Sequence, residues 1–112
     1  MAIPSGQGSE VLKSFGGVID NATFTLTAGT DEIITVLSFV SMNTESSQSK
    51  IYINWHNGST DIWLATVFQN EQETFAWHEK IVLEPGESFK VAEINAKAVS
   101  YYGSYILQDW AA

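Results

Sequence analysis

Apolar and polar residues alternate along most of this chain. Residues 21–28 show it most cleanly: Phe24 and Leu26 face one way, and Thr23, Thr25 and Thr27 the other. That period belongs to a half-buried strand with threonines outside. Residues 50–56 repeat it, with Ile51, Ile53 and Trp55 inward and Tyr52, Asn54 and His56 outward. Residues 98–108 repeat it again, with Val99, Tyr101, Tyr105 and Leu107 on one face. Gly103, in the middle of that strand, predicts a bulge or a close backbone approach. Residues 10–15 form a first strand with Val11, Lys13 and Phe15 on one side, and Gly16-Gly17 ends it.

Two segments are apolar on both faces. In residues 32–42, Ile34, Val36 and Val40 share one face, and Ile33, Leu37 and Phe39 the other. In residues 61–69, Ile62, Leu64 and Phe68 stand against Trp63, Ala65 and Val67. Such a strand is central, or has its second face under a partner. A buried helix is the competing reading for residues 32–42, and their β-branched content disfavours it. Short apolar runs at residues 75–77, 81–83 and 89–91 complete the set. Glu84-Pro85-Gly86-Glu87 predicts a type II turn, because proline presets the first central φ and glycine accepts the positive second one. Asn57-Gly58 opens a hairpin turn. Residues 43–49 and 93–97 are polar links, and residues 70–74 an acidic one.

About eight short strands with turns at this spacing predict an all-β fold: a single-domain antiparallel β-sandwich, jelly-roll or immunoglobulin-like. The expected core includes Phe24, Val36, Leu37, Ile53, Leu64, Phe75, Leu83, Phe89 and Val91. The sandwich takes residues 10–112. Residues 1–9 read as an extended N-terminal arm, since Ile3-Pro4 disfavours helix and Gly6 and Gly8 loosen the backbone. Either the arm frays, or it orders on a neighbouring subunit, with Ile3, Pro4, Val11 and Leu12 as the surface it buries.

Composition narrows the function classes. With 112 residues, one core can form without covalent staples, and no cysteine is present to make any. Thirteen acids stand against five lysines and no arginine, a net charge of −8. That argues against nucleic-acid binding and against adhesion to anionic membranes. Residues 1–5 lack the basic start and apolar run of a signal peptide, so the chain is expected to stay inside a cell unless it leaves within an assembly. Only 16% of residues are charged and 12% are aromatic, a balance suited to meeting another protein surface.

Chemistry-bearing motifs are few. His78-Glu79 resembles a zinc-protease start, but no histidine follows four residues later, and His56 is the only other histidine. No metal site is expected. No nucleophile elbow, phosphate loop or dinucleotide fingerprint occurs, so neither a catalytic residue nor a cofactor is expected. Asn21-Ala22-Thr23 and Asn57-Gly58-Ser59 match the glycosylation sequon, and both read better as a strand start and a hairpin turn. Of the four tryptophans, Trp55, Trp63 and Trp77 lie in expected strands. At least two are expected in the core or an interface, and an exposed one could stack on a sugar ring.

The segment Phe75-Ala76-Trp77, Ile81-Val82-Leu83-Glu84-Pro85-Gly86-Glu87 and the terminal Ser104-Tyr105-Ile106 resemble small structural proteins of tailed-bacteriophage virions. The start, Ala2-Ile3-Pro4-Ser5-Gly6-Gln7-Gly8-Ser9-Glu10-Val11-Leu12-Lys13, and the end, Gln108-Asp109-Trp110, are similar to the same proteins. The resemblance covers both ends and the last third of the chain. It implies a non-enzymatic β-sandwich of the virion, assembled in the host cytoplasm. The leading expectation is a capsid decoration (cement) protein on neighbouring capsid subunits, a homo-oligomer on the particle. Its partners would be the major capsid protein or tail and neck proteins, with neither nucleic acid nor membrane. The arm would contribute Ile3, Pro4, Val11 and Leu12, and a sheet face or the tail Tyr52, Trp63, Tyr102 and Trp110. The alternative is a carbohydrate- or receptor-binding tail or fibre module using exposed aromatics. A small enzyme ranks third.

Overall fold

A computed structural model describes residues 9–110. They form nine strands: β1 (Ser9–Ile19), β2 (Thr23–Thr27), β3 (Glu32–Asn43), β4 (Ser49–His56), β5 (Asp61–Gln69), β6 (Thr74–Trp77), β7 (Ile81–Leu83), β8 (Ser88–Glu93) and β9 (Val99–Asp109). Sheet A has the order β1-β9-β3-β6, with β7 also on β3, and sheet B the order β2-β8-β4-β5. Every pairing is antiparallel.

The pairings follow from folding the chain as one long hairpin. β1 then meets β9, β2 meets β8, β3 meets β6 and β7, and β4 meets β5. Wrapping that ribbon adds the pairs β3–β9 and β4–β8 and closes a five-strand and a four-strand layer, β6 and β7 sharing one edge of the first. This is the jelly-roll arrangement. It decides between the two sandwiches that the pattern left open, since immunoglobulin domains divide their strands differently.

Turn chemistry sets the ends of the ribbon. Glu87 N–H donates to the Glu84 carbonyl at 2.9 Å across Pro85-Gly86, with Gly86 at φ +86°. In the β4–β5 hairpin, Asn57 Oδ1 accepts from the backbone N–H of Ser59 and of Thr60. Residues 16 and 17 do not end β1 as expected. The strand runs on to Ile19, because both glycines lie under the rings of Tyr101 and Tyr102 and stay paired with β9. Ser9 is already in β1, and the rest of the expected arm lies outside the described residues.

The core lies between the layers. Ile34, Val36, Phe39, Val99 and Leu83 come from sheet A, and Ile51, Ile53, Phe89 and Val91 from sheet B. Each such side chain contributes about 1.5–3 kcal/mol by leaving water. Phe15 is the aromatic hub. It stacks on Phe24 at 4.8 Å and stands within 6.5 Å of Phe39, Phe89, Tyr101 and Tyr105. Gly103 makes room for it: a Cβ there would overlap the Phe15 ring and the Ser38 carbonyl. The close approach expected of Gly103 is therefore present.

Two bulges correct the expected faces. In β3, Val36 pairs with Tyr105 and Ser38 with Ser104, so Leu37 is an extra residue. In β5, Ala65 pairs with Ile53 and Trp63 with Asn54, so Leu64 is extra. An extra residue reverses which side chains face inward. Val40 thus turns out instead of joining Ile34 and Val36, and Phe39 turns in. Trp63 turns out, away from Ala65 and Val67, which pack on the core. Leu37 and Leu64 themselves are not in the core cluster, and Leu64 is 38% exposed.

Polar side chains close the core at the end holding the β1–β2, β3–β4, β5–β6 and β8–β9 connections. Gln69 accepts from Ser41 Oγ and donates to the carbonyls of Ser41 and Glu73. Glu93, the last residue of β8 and not part of a polar link, is 1% exposed. Its carboxylate accepts from the backbone N–H groups of Asn21, Asn95 and Lys97 and from Ser49 Oγ, at 2.9–3.1 Å. Burial pushes its pKa up, but these donors outweigh burial and hold it below the ordinary value. One side chain therefore ties both adjoining connections to the sandwich.

Candidate interaction surfaces

The sandwich has two outer faces, and their chemistry differs. All thirteen acids lie in loops or within one residue of a strand end. The charge therefore collects at the two ends of the molecule and along its connections, and the broad faces are left to other residues.

On sheet A, the register places outward positions in rows across four strands. Leu12, Ile106, Thr35 and Val82 lie side by side. Next come Ser14, Ser104 and Ser38, with a 3.0 Å hydrogen bond between the last two hydroxyls. Gly16, Tyr102, Val40 and Ala76 form the third row, and Val18, Ser100, Met42 and Thr74 the fourth. None of these residues is charged. Leu12 is 70% exposed and Tyr102 56%, with Val18 and Val82 similarly open. A shallow depression lies between Val40, Met42, Ser100 and Tyr102.

On sheet B, threonines 23, 25 and 27 line one edge, as the alternation predicts, and β4 presents Lys50, Tyr52, Asn54 and His56. β5 adds Phe68, Thr66, Trp63 and Asp61. Tyr52 and Trp63 meet at 4.4 Å between ring centroids. The Lys50 ammonium stands 5.2 Å from the centres of both the Tyr52 and Phe68 rings. Asp61 accepts from His56 Nδ1 at 2.9 Å and pairs with Lys90 Nζ at 3.2 Å. Lys90 first and His56 second hold the Asp61 carboxyl below the usual carboxylate range. This histidine–carboxylate pair lies on an open face, where water screens it.

The residues expected to form an interface are distributed over the molecule. Leu12 and Tyr102 share the face of sheet A. Tyr52 and Trp63 share that of sheet B. Trp110 is half-buried just beyond β9, where its backbone N–H donates to the Asp31 carbonyl. Val11 is exposed on the edge strand β1, and Ile3 and Pro4 lie outside the described residues. Trp55 and Trp77 pack on the core. Among the described residues, no three histidine or carboxylate side chains gather into a metal-binding group. Sequence reasoning missed Val18, Val40, Met42 and Val82. A signal for part of this existed: Leu12, Ser14, Gly16 and Val18, and Ser100, Tyr102, Ser104 and Ile106, are same-side positions without a charge.

No protein-family model and no curated protein sequence matches the chain. Solved structures do. The Drosophila NLP core, described with pentamer formation and histone binding, matches at 11% identity and a TM-score of 0.55, over 82% of this chain and 96% of that one. A Bacillus endospore appendage, of a family of disulfide-linked pili, matches at 9% identity and a TM-score of 0.55, over 97% and 94%. A structure of infectious bursal disease virus, Gx strain, overlaps 96% of this chain and 33% of its own at 10% identity, with a TM-score of 0.44. At such identities the first two likenesses are of fold, and the third is too loose to add to them.

Proposed function

We propose that this protein is a non-enzymatic structural subunit of a phage virion that adheres through the outer face of sheet A, with capsid decoration as its role. One observation carries the reading: a chain of net charge −8 keeps four successive rows of sheet A's outer face free of charge, with Glu10 only at their end beside Gln108, while exposing Leu12, Val18, Tyr102 and Val82 on them. Large apolar patches on otherwise charged proteins mark contact surfaces. The acidic ends keep free copies apart in solution, and the neutral face is where close approach costs least.

The area fits many weak contacts. Six residues along a strand at ~3.4 Å and three strand gaps at ~4.8 Å give roughly 300 Å², and side-chain margins bring it near 400 Å². A stable pairwise complex buries about 800 Å² per partner. One such face holds weakly alone, and repetition over a particle supplies avidity. An arm at residues 1–8 reaching a neighbouring subunit would add the missing area. The solved structures of like fold come from a pentamer and from a pilus, and repeated assembly of that kind is compatible with this reading.

The test is rebinding to particles stripped of the protein. Val40→Glu places a charge at the centre of the face and should abolish rebinding with the melting temperature unchanged. Normal rebinding by this variant would refute the docking surface. Copy number separates the sites on the particle: occupancy across the whole capsid supports decoration, and a single symmetric ring places the protein at the neck or tail.

A further inference from the structure

We infer that the strip Trp63–Tyr52–Lys50–Phe68 on the outer face of sheet B is a binding site for an acidic oligosaccharide. The observations are separate from those behind the docking face of sheet A. Trp63 is 60% exposed, although tryptophan gains more than most residues from burial. The Leu64 bulge turns it outward; without that extra residue it would point into the sandwich with Ala65 and Val67. Bulges commonly re-aim a side chain beside a functional site.

The strip has the parts a sugar needs. Trp63 packs against the Tyr52 ring at 4.4 Å with a 33° tilt, which holds the exposed indole in place to meet the partly positive C–H groups of a pyranose with its electron-rich face. From the Trp63 row to the Phe68 row is four residues of β4, roughly 14 Å, which suits several linked rings better than one. Thr66 and His56 border the strip and offer hydroxyl and imidazole groups to sugar hydroxyls. Those polar borders favour a saccharide over a protein partner, whose contact surface would look like that of sheet A.

The charge pattern selects an acidic sugar. Sheet B's outer face carries Lys50 and Lys90 against Asp61, the reverse of the chain's overall balance. Lys90 is paired with Asp61. The Lys50 ammonium instead stands over two rings, and it is the cation placed to meet a sugar carboxylate. The acids at the ends of the sandwich repel an anionic ligand only weakly at mid-face, because salt screens charge beyond about 8 Å.

The full-length protein would be titrated with hexagalacturonate, sialyl-lactose and neutral cellohexaose, reading tryptophan fluorescence and calorimetry. An acidic probe should bind at least about tenfold more tightly than cellohexaose. Trp63→Ala should weaken that binding at least about tenfold with the melting temperature kept. Lys50→Gln should bring the acidic probe down to the neutral one and leave cellohexaose unchanged. Binding of neither acidic probe at millimolar concentration would overturn the proposal, as would unchanged affinity in Trp63→Ala. Equal affinity for acidic and neutral probes would overturn the assignment to Lys50. If Trp63→Ala instead abolishes rebinding to particles, the strip is a protein contact and the inference is wrong. The docking role of sheet A is untouched by any saccharide result, since Val40→Glu tests it separately.

Discussion

The two outer faces of this sandwich share one core and differ in nearly everything else. Sheet A presents apolar side chains, serines, threonines and a glycine, with no charge in its middle rows and Glu10 at their end. Sheet B presents threonines, an aromatic strip and three charged groups. Both are antiparallel layers with alternating strands, so backbone geometry does not distinguish them. What distinguishes them is which residues were placed outward, and in two strands a bulge decides that. The Leu37 bulge brings Val40 and Met42 out on sheet A, and the Leu64 bulge brings Trp63 out on sheet B. A surface that costs apolar exposure on each side is best explained by something that covers it.

If the faces act separately on a common support, core changes should disable both and face changes only one. Leu83→Ala removes a fully buried side chain under sheet A, and should cost about 2–5 kcal/mol in chemical denaturation. A cost below about 0.5 kcal/mol would mean that the layers are not packed as described.

Glu93→Ala should cost less, about 1–3 kcal/mol, by leaving the N–H groups of Asn21, Asn95 and Lys97 without their acceptor. Its pH dependence carries a sign. The folded pKa of Glu93 is depressed, so its contribution is complete above the ordinary glutamate value. It is lost as pH falls through the lower folded one. Melting temperature should therefore drop as pH falls below the ordinary glutamate value, and Glu93→Gln should flatten that drop. An equal slope in both proteins would assign acid sensitivity elsewhere.

The smallest stability effects belong to the faces. Val40→Glu and Trp63→Ala should each change stability by no more than about 0.5 kcal/mol, while the first removes attachment and the second leaves it intact. A large loss of stability in either would merge face and core and dissolve the distinction. Leu64→Ala belongs in this class too, because Leu64 sits on the bulge and not in the core.

Much of this was legible in the sequence. The single-period strands β2, β4 and β9 have the faces that alternation predicts, and Pro85-Gly86 makes the turn its chemistry demands. The errors are localised. The expected core members missing from the core cluster, Leu37 and Leu64, are the two bulge residues. A strand that reverses parity midway reads, residue by residue, as apolar on both faces; β3 is nonetheless central, between β9 and β6, as that pattern predicts, whereas β5 is an edge strand. Residues 32–42 and 61–69 are apolar on both sides in sequence because each is two half-strands of opposite phase. Glu93 escaped notice because a buried carboxylate satisfied by backbone N–H groups from distant connections has no local sequence signature. The jelly-roll choice was equally invisible, since it depends on which strands meet at long range.

Hydroxyl-radical footprinting of the protein free and on its particle addresses the central claim most directly, because Met42 and Tyr102 report on sheet A and Trp63 on sheet B. Met42 and Tyr102 should be protected on the particle while Trp63 stays as reactive as in the free protein. Protection of Trp63 with Met42 and Tyr102 still reactive would contradict that claim.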